Sequence, residues 1–390
     1  MSDLDAELRG LRDELNSAIP LPDVEHVTGR ARARRRLQLG AIAAVVLVAL
    51  AVPVLRALPA DLPPAGPPSS SPTNFTLDFA DPDHGYALGR TCIPDCAFRL
   101  YRTADGGRSW QPRDLPAPAH SKSGYFGSSL YVLGIDNVVI DRPSDQLWQQ
   151  RIHSTDGGRT WQTVERWGPA ESMPLAPTAT LAGRCGNGFM VTPDCDVITS
   201  IDPGSGKTFT TIAQPPLEFT QMGPVATEGG KWWASGRDRN TNQWALSVSA
   251  DGGRTWSTSE VAVDGTPSWD GLAVVERNGV MYATATTYRA TLGVWRSTDD
   301  GRSWTRTWTP ANGQQIPGVL GMPIAAGDGS LRLPTGTTTY VSTDQGHTFT
   351  RTGDEMFGMV TWTRAGYLRS RMNEFALSSD GLHWKEFTVR

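Results

Sequence analysis

From residue 74 to the C-terminus, apolar and polar residues alternate in short runs broken by glycine and proline. Side chains of period two point to opposite faces of a strand, so each run predicts a short strand with one buried face. The runs come in fours. In the first set, Thr76 to Phe79, Tyr86 to Arg90 and Phe98 to Arg102 precede a fourth run opened by Trp110. The fifth set reads Leu272 to Val275, Val280 to Thr284, Val294 to Ser297 and Ser303 to Trp308. The seventh reads Met359 to Thr363, Gly366 to Arg369, Glu374 to Leu377 and Trp384 to Val389. Trp232 and Trp233 are adjacent in one run, so they face opposite ways and at least one belongs to a core.

The front of the chain has a different pattern. Leu4, Leu8, Leu11, Leu15 and Ala18 recur at spacings of four and three. That is one apolar stripe on a short helix, stopped by Pro20 and Pro22. A helix resting on a membrane or self-associating accounts for it, and so does a docking helix for a cytosolic partner at residues 1–19. Segment 1–29 leads into a basic flank at 30–36, which holds Arg30, Arg32, Arg34, Arg35 and Arg36. The apolar run 37–55 follows, long enough to span ~30 Å of hydrocarbon. Arginines on its N-terminal side place the N-terminus in the cytosol. A cleaved signal peptide is the rival reading, but its charged leader would be very long and no clean small-residue cleavage site follows. Residues 56–73 are a spacer. Its stretch from Ala60 to Thr73, rich in proline and serine, extends to roughly 40 Å at ~3.1 Å per residue.

Between the third and fourth runs of each set stands a recurring turn. Thr103-Ala-Asp105-Gly-Gly-Arg-Ser-Trp110 is the first copy. Asp156, Asp251, Asp299 and Asp344 occupy the same place in four more, while the copies around Asp202 and Asp380 are too long and too short. In the last, Ser379 is taken as the residue before the aspartate. Successive aspartates lie 51, 46, 49, 48, 45 and 36 residues apart, a period that signals stacked supersecondary units. The Ser or Thr and the Asp cap nearby N–H groups, the glycine takes a conformation that a Cβ penalises, and the closing Trp or Phe buries a large ring.

This motif resembles the Asp-box, or BNR repeat, of sialidases, sortilin-type receptors, two-propeller xyloglucanases and photosystem II assembly factors. The resemblance covers residues 75 to 390. It implies an all-β, seven-bladed β-propeller with four-stranded blades at 74–390, which follows the N-terminal helix and the one transmembrane helix read above from the residues themselves. It also implies that Asp105, Asp156, Asp202, Asp251, Asp299, Asp344 and Asp380 are structural. Blade 1 owns all four of its strands, so ring closure is expected to rest on side-chain packing.

Composition narrows the function. A net charge of −4 over 390 residues favours neither nucleic acid nor another polyanion. Four lysines beside 32 arginines fit a GC-rich bacterial genome. The four cysteines all fall in the domain expected outside the cytosol, where an even count favours disulfides. Cys92 and Cys96 bracket a hairpin tip and are expected to pair. Cys185 and Cys195 are the remaining couple, but the strand pattern puts them at opposite ends of one strand, ~16 Å apart and too far to bridge. No metal-ligand spacing and no cofactor motif stands out. Gly204-Ser-Gly-Lys207-Thr208 imitates a phosphate loop, yet Ile201 holds the place of its first glycine and a strand follows.

A sialidase-like enzyme would need an arginine triad, a Tyr–Glu pair and an acid. Arg142, Arg237, Arg289 and Arg371 are expected on loops between second and third strands, either as a basic rim or, the favoured reading, as solvated surface arginines. The sialidase resemblance also implies an Arg-Ile-Pro motif early in the propeller; none stands near the first blade, and Arg332-Leu-Pro334 is the nearest match. A binding module fits better. Long loops at Ala117–Ser128, Trp167–Pro177, Pro215–Pro224, Val263–Gly271 and Pro310–Gly318 surround the channel. Tyr125, Phe126, Trp167, Phe219, Trp269 and Phe357 are their aromatic anchors. The resulting expectation is a single-pass, membrane-anchored extracytoplasmic module, non-enzymatic, that binds or assembles a protein or glycan. The alternatives are an exo-sialidase-like glycoside hydrolase and a transmembrane sensor signalling through the N-terminal helix.

Overall fold

The computed structural model describes residues 74–390, apart from the internal segments 93–95, 117–119, 122–127, 144–148, 166, 174–179, 184–197, 219–230, 265–271, 311–312, 337, 354–357 and 372. The segments read above as helix, basic flank, membrane span and spacer therefore lie outside the described residues. Among the described residues no helix is long and apolar enough to cross a membrane.

Seven separate sheets form the blades of a propeller, and six of them run in sequence order from the innermost strand outward. Blade 1 comprises Asn74–Phe79, Gly85–Cys92, Cys96–Thr103 and Gln111–Arg113. Blade 2 follows with Ser129–Val132, Val138–Pro143, Gln149–Ser154 and Gln162–Val164. Blade 4 is built from Leu217–Glu218, Trp232–Asp238, Trp244–Ser249 and Ser257–Glu260. Leu272–Arg277, Val280–Thr286, Thr291–Ser297 and Thr305–Trp308 make blade 5. Blade 6 has the short strands Ile324–Ala325, Leu331–Pro334, Thr339–Ser342 and Thr350–Thr352. Blade 7 ends the chain with Met359–Thr363, Gly366–Arg371, Glu374–Ser378 and Lys385–Thr388.

Blade 3 departs from the pattern. Thr180–Gly183, Ile198–Ile201 and Thr208–Thr211 pair antiparallel, and Trp167–Met173 adds in parallel to the outer edge of Thr208–Thr211. The stretch read from sequence as a loop from Trp167 to Pro177 thus begins as a strand. It covers an edge whose N–H and C=O groups would otherwise stay unpaired. Gly183 lies opposite Ile198, and Cys185 and Cys195 lie outside the described residues. In blade 1, Cys92 and Cys96 are cross-strand partners in the backbone register.

The cores lie between blades. Leu88, Leu100, Val138, Ile140 and Ile152 fill the junction of blades 1 and 2. Trp233, Leu246, Met281 and Trp295 fill that of blades 4 and 5, and Trp232 is buried as well. The ring closes in the same way. Phe79 and Phe75 of blade 1 pack with Phe375, Leu377 and Phe387 of blade 7. Phe387 lies 5.7 Å from Phe79 and 6.0 Å from Trp110 between ring centroids. Among the described residues no strand is exchanged between blades 1 and 7, and this aromatic packing joins them.

Each turn motif is a staple with one geometry. The Ser or Thr hydroxyl donates to the aspartate Oδ1 at 2.8 Å in five copies. That hydroxyl in turn accepts a glycine N–H, as from Gly107 to Thr103 at 2.9 Å. The Ser or Thr ahead of the closing ring donates its hydroxyl to Oδ2 at 2.6–2.7 Å. In the seventh copy the capping residue is Ser378, not Ser379, and His383 Nδ1 replaces the second hydroxyl at 2.6 Å. One residue is missing there, but a longer side chain bridges the gap. In the third, Asp202 accepts the N–H and hydroxyl of Ser205, and Thr208 opens a strand; the phosphate-loop imitation is a hairpin turn.

The staples also join neighbouring blades. Arg113 of blade 1 donates to Gly157 O of blade 2 at 3.0 Å, and Ser259 of blade 4 to Gly301 O of blade 5 at 2.6 Å. Lys385 of blade 7 donates to Asp105 O of blade 1 at 2.9 Å, so the closing junction copies the internal ones. Rings reach the other way: Trp161 and Trp256 donate to Asp114 O and Ala213 O of the preceding blades. Gly107 shows why glycine is required. Its φ is +84°, and a Cβ would sit 2.7 Å from the Phe387 ring across the seam.

Candidate functional site

Antiparallel order puts the staples and the turns between first and second strands on one face of the ring. The other face carries the turns between second and third strands and the connections from blade to blade. The staple face is committed to structure. Hydrogen bonds from Ser109, Thr255 and Ser303 hold the carboxyls of Asp105, Asp251 and Asp299 down at about 2. A depressed folded value means that these groups support the fold above the ordinary carboxylate range and lose that support as pH falls through about 2. Their lone pairs are spent on their own turns, and among the described residues no group of His, Cys, Asp and Glu could hold a metal ion.

At the channel, Asp78 of blade 1 accepts N–H bonds from Phe79 at 2.8 Å and from Val132 of blade 2 at 3.0 Å. Arg364 of blade 7 donates to Leu133 O of blade 2 and faces Asp78. Burial pushes Asp78 up from 3.8 to about 6, although the two N–H bonds and the Arg364 charge pull it down. A raised folded value means stability that is full below the ordinary pKa and is lost as pH rises through about 6. Unfolding free energy measured from about pH 4 to about pH 7 is therefore expected to fall less steeply in Asp78→Asn than in the parent chain. Identical slopes would show that Asp78 does not titrate in this window.

The loop face differs in kind. Tyr288 stands 76% exposed at the tip of a turn in blade 5. Thr287 braces that turn, donating its N–H to Ala290 O at 2.7 Å and accepting the Ala290 N–H on its hydroxyl at 3.0 Å. The connection into blade 6 packs beneath it. Thr291 donates to Ile316 O and Pro317 O, and the Val319 N–H reaches the Thr286 hydroxyl. A Cβ on Gly318 would lie 2.1 Å from Thr287 O, so only glycine permits this approach. The stretch read from sequence as a long binding loop at 310–318 is thus partly an internal support. Leu320 comes next, 43% exposed. Its N–H pairs with Pro334 O of blade 6, and its carbonyl accepts the N–H of Val360 in blade 7. Met359, 47% exposed, adjoins Val360. Backbone pairing thus brings Leu320 beside the strand that Met359 opens, Tyr288 stands on the same face of the ring, and Arg289 is exposed next to it.

Three of the four arginines read from sequence onto loops lie in strands. Arg142 lies in a strand of blade 2 and is only 2% exposed. Its guanidinium bonds Gln150 Oε1 and Pro116 O, which ties a hairpin to the connection that enters blade 2. Arg237 also lies in a strand, stacked 5.1 Å over Trp244. Arg371 is on a blade 7 strand and faces Glu374 at 3.9 Å. Arg289 alone of the four sits on a turn tip. Trp167 lies on the added strand of blade 3. Tyr125, Phe126, Phe219, Trp269 and Phe357 fall outside the described residues. Sequence reasoning passed over Tyr288, Leu320 and Met359. The signal for Tyr288 was a lone aromatic between Thr287 and Arg289 in a turn, and nothing in the sequence tied it to the other two.

A family model described as a BNR repeat-like domain matches residues 142–340. The chain belongs to this family. The photosystem II stability/assembly factor HCF136, chloroplastic, of Oryza sativa subsp. japonica is 28% identical over 92 residues, 23% of this chain and 20% of that protein. The aligned stretch thus spans about a fifth of that relative's length. Among solved structures, YCF48 from Cyanidioschyzon merolae superposes with a TM-score of 0.47 and 16% identity over 82% of this chain and 97% of that one. YCF48 bound to D1 peptide gives 0.47 and 14% over 82% and 93%. A GH74 enzyme of Niastella koreensis gives 0.25 and 14% over 81% and 54%.

Proposed function

We propose that this BNR-repeat propeller is a non-enzymatic binding module that holds a segment of a partner protein on the loop face of blades 5 to 7. Residues 37–55 carry it on the extracytoplasmic side of a membrane, with the basic flank inside. The observation that carries the reading is the row Tyr288, Leu320 and Met359: exposed, apolar, and fixed by backbone pairing rather than free to fold away. Rigid apolar anchors lose little entropy on binding and are the usual centre of an interface. An assembly role for the rice relative agrees with this reading. The burial of Arg142 weighs against a carboxylate-binding triad.

Photo-crosslinking in the native membrane tests it. A reactive side chain at position 288 is expected to give a discrete adduct, and one at Arg159 on the staple face none. Changing Leu320 and Met359 together to serine is expected to weaken the adduct roughly a hundredfold, at about 1–2 kcal/mol for each anchor. Equal labelling from both faces, or cleavage of a fluorogenic sialoside by the purified chain, would overturn it. Deleting residues 1–19 separates a passive holder, which keeps its adduct and its effect, from a sensor, which keeps the adduct and loses its cytosolic output.

A further inference from the structure

Blade 7 breaks the repeat at one rung of its sheet. Counting two residues outward from the partner of each capping Ser or Thr aligns that rung in all seven blades. In the other six, the second strand carries glycine, alanine, isoleucine or leucine there, and the third strand carries a bulky residue in five, among them Tyr101, Trp295 and Tyr340. Blade 7 inverts this: Arg369 is on the second strand and Ala376 on the third, with Glu386 beside it on the fourth. The next rung toward the loop face is Arg371, Glu374 and Thr388. These side chains share one face of the sheet, because cross-strand partners point the same way.

Between Arg369 and Glu386 stands the Ala376 methyl group, where three of the other blades place a ring. Arg369, Arg371, Glu374, Glu386 and Thr388, together with Phe375 and Phe387, line a cavity of about 480 Å³, within the range of small-ligand sites. Arg369 is fixed by Glu386 at 3.0 Å and by the Trp384 ring, 5.4 Å from its guanidinium carbon. The cavity is polar in both senses of the word. Both cations stand on the second strand, and both anions stand on the strands outside it, each strand ~4.8 Å from the next. Stability does not call for this arrangement, since Glu374 and Glu386 are 75% and 79% exposed and surface ion pairs contribute little.

We infer that this basin binds a zwitterionic ligand, its carboxylate toward Arg369 and Arg371 and its ammonium toward Glu374 and Glu386. A dianion or a dication would meet like charge at one edge. The ligand's two charges belong either to a free amino acid or to nearby acidic and basic side chains of a peptide. This inference deepens the proposed function, because Met359 pairs with Ser370, next to Arg371.

Ligand-observed NMR on the full chain in detergent tests it with four probes: free glutamate, the capped peptide N-acetyl-Lys-Ala-Glu-amide, acetate and butylamine. Free glutamate alone binding identifies an amino-acid site; the capped peptide alone binding identifies a peptide site. In either case acetate and butylamine are expected to bind at least tenfold more weakly. Ala376→Tyr, which restores the ring found in other blades, is expected to abolish binding, and Arg371→Glu to weaken it at least tenfold while the unfolding midpoint stays in place. Arg371→Glu keeps the test decisive if the tyrosine variant misfolds. Equal binding by the singly charged probes, no binding by any probe, or unchanged binding in Arg371→Glu would overturn the inference. An intact adduct from position 288 alongside any of these results would leave the proposed function standing.

Discussion

Replacing Arg151 by alanine is expected to destabilise the propeller by about 3–5 kcal/mol, among the largest effects of any single change. Arg151 and its cross-strand partner Asp141 are almost wholly buried in blade 2, with side-chain exposures of 0% and 1%. Two parallel bonds join them, Nε to Oδ1 at 2.6 Å and Nη2 to Oδ2 at 2.8 Å. The remaining nitrogen crosses to blade 3, where it donates to Gly206 O at 3.2 Å and to the Thr208 hydroxyl. Truncation takes two charge-assisted bonds from the Asp141 carboxylate in a dry site and removes a tie between blades. A double variant, Asp141→Val with Arg151→Met, removes both charges and keeps most of the volume. It is expected to lose clearly less than the single change. Denaturant midpoints for the two proteins decide the matter; an equal loss in both would mean that lost packing, not an unpaired charge, sets the cost.

The second large effect is at the seam. Phe387→Ala is expected to cost about 3–5 kcal/mol, the range for emptying a buried ring site. Phe387 is 9% exposed and touches Phe79, Trp110 and Phe375, so one truncation opens a cavity facing both ends of the chain. Phe349→Ala is the internal control, since Phe349 packs on Trp308 across the junction of blades 5 and 6 at 6.0 Å. Similar losses by chemical denaturation would show that the closing junction is as firm as an internal one. A loss at Phe387 under about 1 kcal/mol would show that packing there does not hold the ring.

What the sequence disclosed follows from the range of each interaction. The staple is a local object whose hydrogen bonds span two to four residues, so its pattern survives as a readable motif. Strand runs in blades 1, 5 and 7 were legible because each alternates cleanly between turn residues. Blade 3 was not, because the strand at Trp167–Met173 pairs with Thr208–Thr211 about 40 residues later, and no local pattern encodes that. The place of Ser378 was missed because a shortened turn slides the motif by one residue. Arg142 looked like a rim residue because arginine is usually solvated; only the fold reveals that Gln150 and Pro116 enclose it. The row Tyr288, Leu320 and Met359 spans 72 residues of sequence and exists only once three blades stand side by side.

The claim beneath the rest is that the aspartate turns clamp blade to blade and take no part in chemistry or ligand capture. Thermal unfolding of Asp251→Ala, followed alongside crosslinking from position 288, tests it directly. The account predicts a clearly lowered unfolding temperature, with the adduct unchanged below the transition. An unchanged unfolding temperature together with a lost adduct would contradict it.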